Sequence, residues 1–310
     1  MMAMKQLMIA LVACVMALAL SGCGGPKYEV YGDVVVHSHW TFSFGTLRDT
    51  LEGADPATFK QVKNWLGHDS ERVYFKAMLV PGVDVATLKA KRYPLFCDKN
   101  DYYYETVPMH VADMASFKII KWFGDNFWAK DSRCAYYDSL RIDGVDLPTF
   151  ELVDRWLARD KNHVYMDGLM LADADPATFE RIPGSIYYRD KSHVWNFNSL
   201  LVGADPATFE VIGHTGFCRD KSHVWYGYEN QQLVGADPAT FEVIGETNYC
   251  RDKSHIWFRA ELMQDADYET FVADYDSFAH DKYGTFTAYH RDTDDEPPVE
   301  GPEPEPELTE

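Results

Sequence analysis

The sequence predicts an all-β fold of about eight tandem β-meander repeats, each of about 30 residues. Three observations predict it. Residues 190–213 (DKSHVWNFNSLLVGADPATFEVIG) return almost letter for letter at 220–245, with looser copies from Asp160 and from Asp252. Short runs such as HVWNF and HIWFRA pool Val, Ile and aromatics, the composition of strands. Turn formers punctuate them, Arg-Asp-Lys-Ser before the aromatic run and Asp-Pro-Ala-Thr after it. The expected arrangement is an open curved array, with a closed β-propeller-like ring as the alternative.

The chain opens with Lys5 and an apolar run over residues 7–20, too short to span a bilayer but right for a signal-peptide core. The run ends in Leu20-Ser21-Gly22-Cys23, which resembles the lipobox of bacterial lipoproteins. The resemblance implies a leader over residues 1–22, cleavage before Cys23 and lipidation of its sulfur. Several acyl chains would then hold the protein to a membrane more firmly than one. Residues 23–29 form a linker. The implied address is the bacterial cell envelope, the outer membrane facing periplasm or surface in a Gram-negative cell.

The repeat domain is expected over residues 30–291. An Asp precedes each aromatic strand, at Asp69, Asp98, Asp131, Asp160, Asp190, Asp220, Asp252 and Asp281, with gaps of 29, 33, 29, 30, 30, 32 and 29 residues. The apolar residue closing the ADPATF motif follows 19 residues after the Asp in six of seven cases. The extra residues fall at 226–232 and between Phe117 and Asp131, where loops are expected.

Within a unit, the Asp side chain can bond its own backbone two residues on, making a turn. The aromatic strand is apolar on successive residues, so both of its faces should be covered. LLVG reads as a second strand. Asp205 caps a helical turn with Pro206 at its first position, which aims Phe209 into the core. FEVIG and GFCRD supply two further strands. No unit of this size covers its own aromatics, so neighbours must do so. The same aromatic element stands at both ends, around Trp40 and around Phe286, which favours an open array over a ring.

Residues 292–310 hold nine acidic side chains, five prolines and no basic residue, the composition of a disordered tail. The net charge of −20 leaves no basic footprint for nucleic acid. The expected partners are instead a membrane, through the N-terminal lipid, and an envelope protein or glycan. Cys218 and Cys250 stand at equivalent repeat positions. Four free buried thiols (with Cys97 and Cys134) are the leading expectation, and a Cys218–Cys250 disulfide the alternative.

With the marks aligned, Asp160-Lys161-Asn162-His163-Val164-Tyr165 and Asp98-Lys99-Asn100-Asp101-Tyr102-Tyr103-Tyr104 resemble the signature of the DKNYY family, bacterial repeat proteins that are often exported or lipidated. Ser replaces Asn at Ser192, Ser222 and Ser254. The family implies no known activity and no catalytic residue.

Candidate chemistry is sparse. His163, His193, His223 and His255 share one repeat position, yet a ladder spreads ligands that a metal needs at one point. His37 and His39 share one face of a strand and read as structural. The Asp-Lys pairs read as turn formers, because calcium takes six to eight oxygens from clustered carboxylates. Trp195, Trp225 and Trp257 read as core. Nucleophile elbows, P-loops and zinc signatures are absent from the sequence, so neither an enzyme nor a cofactor is expected. Binding residues are sought where the units differ, at Tyr226 and Tyr228 and at Trp122 and Phe127.

Overall fold

In the computed structural model residues 25–213 and 215–292 are described, and they form two compact units, one ending at Asp160 and one beginning at Lys161. The expected leader, Cys23 and the tail from residue 293 lie outside the described residues. The first unit holds a three-stranded sheet (Lys27–Tyr31, Val34–Thr41, Gly45–Thr50), three four-stranded sheets and the strand pair Glu151–Leu152 with Leu157–Arg159. The second holds the pair Val164–Met166 with Leu169–Met170 and then four four-stranded sheets. Every sheet is an antiparallel meander with its strands in chain order, and none closes into a barrel. Among the described residues the only helical pieces are two three-residue 3-10 turns, Val85–Thr87 and Gly227–Glu229, and no helix is long and apolar enough to cross a membrane.

One sheet shows how the repeat is phased. Its strands are Glu210–Val211, Phe217–Arg219, Val224–Tyr226 and Gln231–Gln232, with Cys218 opposite Trp225 at the centre. The aromatic run is therefore the third strand, and the Asp220 turn joins the two central strands. The Asp-Pro-Ala-Thr motif lies outside the sheets, as the connection from one to the next. The expected helical turn there is a β-turn: Thr208 N donates to Asp205 O at 3.2 Å. Only at Val85–Thr87 does it wind into a 3-10 turn.

The insertions also depart from expectation. The residues after Phe117 lengthen a hairpin rather than a loop, giving Lys118–Phe123 paired with Asn126–Lys130. Those after Tyr226 become the 3-10 turn Gly227–Glu229, closed by Asn230 at φ 52°.

The third strands are covered on both faces, as their continuous apolar runs predict, except in the last sheet, where Gly284–Thr287 buries Phe286 alone. Five residues after each repeat Asp stands a buried aromatic: Tyr74, Tyr103, Tyr136, Tyr165, Trp195, Trp225, Trp257 and Phe286. Consecutive sheets share their cores. In the second unit Tyr187 and Val194 pack with Cys218 and Trp225 of the next sheet, and Phe217 and Tyr226 with Cys250 and Trp257 of the one after. In the first, Trp65 and Phe75 pack with Phe96 and Tyr103. Each buried aromatic contributes about 2–3 kcal/mol, most of it conditional on the adjacent sheet being present.

Candidate functional site

The repeat Asp residues are the first candidates to settle. Asp190 is buried, and its Oδ1 accepts the amides of Ser192 (2.6 Å) and His193 (2.7 Å). Its Oδ2 accepts the amide of Asp175 (2.8 Å), the Asp of the preceding connection. Asp175 in turn caps Ala177 and Thr178 and pairs with Lys191 Nζ at 2.8 Å. One carboxylate thus fastens the connection to the central hairpin. The same Oδ2 bond recurs from Asp55 to Asp69, Asp84 to Asp98, Asp113 to Asp131, Asp146 to Asp160, Asp205 to Asp220, Asp237 to Asp252 and Asp267 to Asp281.

Burial pushes the Asp252 carboxyl up, but the amides of Asp237, Ser254 and His255 outweigh it and hold the group below its ordinary value. Asp69 is held low in the same way, and Asp131 by the Tyr136 hydroxyl together with the amides of Arg133, Cys134 and Asp113. These buried carboxylates are engaged by backbone amides of their own turns and connections and do not cluster at one point as calcium requires, so the repeat Asp is a fastener. The Asp-Lys pairs are scaffold too, since Lys191, Lys221 and Lys253 bridge to the connection's Asp.

The repeat histidines do not assemble. His193, His223 and His255 each lie against the Trp two residues on, with ring centroids 5.4–5.5 Å apart, and each faces the Asp of its own turn. Nor do the two irregular regions present all their aromatics. Tyr226 and Phe127 are buried in the cores between sheets and cannot serve as surface contacts, because each is flanked by apolar residues of the adjoining sheet. Trp122 is half-buried, with Phe127 on one side (4.7 Å) and the Arg92 guanidinium 4.6 Å from its ring. Tyr228 is 68% exposed and lines an open groove of about 460 Å³ with Thr215, Asn248 and Asp276. The Cys218–Cys250 disulfide is not formed. Both thiols are free and buried, each in a different core cluster, and burial pushes the Cys218 thiol up to about 12.

Among the described residues one cluster does bring three metal-capable side chains together: His37, His39 and Asp49, one donor atom of each lying within 4.8 Å of the others. The three-stranded sheet builds it. His37 and His39 are two residues apart on one strand and so share a face, and Asp49 is the cross-strand partner of His37. All three line a cavity of about 570 Å³, walled by Trp65 and Tyr93 and bordered by Lys76. His37 is buried, and its Nε2 lies 3.0 Å from the carbonyl oxygen of Asn64. A carbonyl only accepts, so Nε2 carries the proton and Nδ1 keeps the lone pair. Burial pushes the His37 imidazole below its ordinary value, outweighing the Asn64 bond. His39 Nδ1 stands 3.4 Å from Asp49 Oδ2.

The H-x-H pair is visible in the sequence, but nothing there joins it to Asp49. That link comes from strand register, which sets a residue 12 positions away directly opposite His37.

Residues 27–107 and 44–169 match the DKNYY family. No curated protein and no solved structure matches the chain.

Proposed function

From the premise that this is a DKNYY-family repeat protein, we propose that it is a non-enzymatic, lipid-anchored interaction module of the bacterial envelope, held by Cys23. The anchor rests on the lipobox-like Leu20-Ser21-Gly22-Cys23. The observation that carries the interaction reading is an asymmetry between sheet edges. In three sheets of the second unit the first strand carries a glutamate (Glu180, Glu210, Glu242) ion-paired to an Arg of the second strand at 2.6–2.8 Å, whereas Val62, Ile120 and Val272 are exposed on other first strands. Such charge discourages strand addition. The fourth strands instead expose Leu79, Val107, Leu140, Met170, Leu200 and Leu262, and Val202 and Val234 just beyond them are 77% and 80% exposed. Open edges with aliphatic side chains suit an extended segment of a partner protein.

Two experiments test this reading. Cys23→Ser should release the protein from membranes into the soluble fraction. The soluble domain should retain a specific envelope partner that Val202→Glu with Val234→Glu loses. Absence of any partner, together with measured turnover of a substrate, overturns the reading.

A second reading, glycan binding, is favoured by Tyr228 alone, whose exposed ring stands beside Asn248 and Asp276 in an open groove. Tyr228→Ala should then abolish glycan-array binding without lowering thermal stability.

A further inference from the structure

We propose that His37, His39 and Asp49 form a binding site for a divalent transition metal of the zinc class, with an open coordination position facing the cavity beside Trp65 and Tyr93. This goes beyond the interaction reading and does not depend on it. Two imidazoles and a carboxylate are the donor set of open zinc and non-haem iron sites, which keep a position for water or an exogenous ligand. Four features of the site agree with that use. The three donor atoms already lie within 4.8 Å of one another, so little rearrangement is needed to converge on one ion. The bond from His37 Nε2 to the Asn64 carbonyl is the kind of outer contact that fixes the tautomer of a ligating histidine. His37 is buried, so packing limits the swing of its ring. The cavity provides a way in and room for a fourth ligand.

Titratable and charged groups from neighbouring strands border the site. Tyr28, whose ring centroid is 4.9 Å from that of His37, comes from the first strand. Lys76 comes from the next sheet, its Nζ 5.3 Å from the Phe75 ring centroid and 5.7 Å from that of Tyr93. Its charge opposes a metal, and aromatic faces hold it in part.

The test is titration of the full-length, metal-stripped chain with Zn²⁺ by calorimetry, and with Co²⁺ followed by its visible d–d absorption. Wild type should bind a single equivalent and develop a low-symmetry cobalt spectrum. His39→Asn and Asp49→Asn, both outside the buried core, should weaken binding by roughly 10–100-fold, while Lys76→Met should tighten it. His223→Asn, at a repeat histidine, should change nothing. Circular dichroism of each variant separates lost ligands from lost fold. The proposal is overturned if wild type gives no cobalt spectrum, or if His39→Asn and Asp49→Asn bind as wild type does.

Discussion

Arg291 closes on Asp281 with both terminal guanidinium nitrogens, Nη1 to Oδ1 at 2.8 Å and Nη2 to Oδ2 at 2.7 Å. At Asp252 the corresponding oxygen accepts the amides of Ser254 and His255. At Asp281 it accepts the amide of Tyr283 and Arg291 instead. The last sheet has thus replaced part of an amide set with a cation and holds the Asp281 carboxyl far below its ordinary value, chiefly through Arg291. Arg291→Met should destabilise by about 3 kcal/mol, because a buried carboxylate is left without its partner. Lys282→Met removes an exposed pair with Asp267 and should leave stability nearly unchanged. Urea unfolding of both variants checks the contrast; equal losses would contradict it.

The two aspartates of one fastener should differ in the same assay. Asp220→Ala strands the amides of Ser222, His223 and Asp205 and should cost about 3 kcal/mol or more. Asp205→Ala removes a cap from an exposed turn and should cost clearly less.

Acid should unfold the protein through these groups. A carboxyl whose folded pKa is depressed stabilises the fold above its unfolded value, about 3.9, and that stabilisation is lost as pH falls through the folded value. Asp69, Asp131, Asp252 and Asp281 are all of this kind. Their contribution should be intact from pH 7 to about 5 and fall away below about 4. Melting temperatures across that range measure it, and Asp252→Asn should flatten the acid limb.

Trp225 is 2% exposed, and Trp225→Ala should cost about 3–5 kcal/mol through the cavity it leaves. Loss of glycan binding with unchanged stability would instead place the ring at a surface.

Cys97, Cys134, Cys218 and Cys250 should resist a thiol reagent in the native state and react when the protein unfolds, since all four are buried and burial raises the thiols of Cys218 and Cys250. A reductant should leave the melting temperature unchanged. A drop on reduction would reveal a disulfide.

The strands, the turns and the burial of Trp195, Trp225 and Trp257 were legible because each follows from local composition. The phase of the repeat was not. Nothing local says that Asp220 stands inside a sheet and Asp205 outside one, because that depends on which short strands pair. The Asp190 turn was legible from its own amides, whereas its third bond, to the amide of Asp175, is a contact 15 residues away. Tyr226 and Phe127 looked free because their segments are irregular, yet the strand ends that carry them face inward. Asp49 escaped notice for the reason that makes it useful: register alone brings it opposite His37.

Each fastener is written within a single stretch of chain: the two aspartates that meet in it lie 14 to 18 residues apart. A gene segment that duplicates one period therefore carries the entire instruction for closing the sheet it adds. The near-verbatim return of residues 190–213 at 220–245 is what such an event leaves behind. The fastener is thus copied complete with each period, whereas the core between sheets is completed only when the new copy packs on its neighbours.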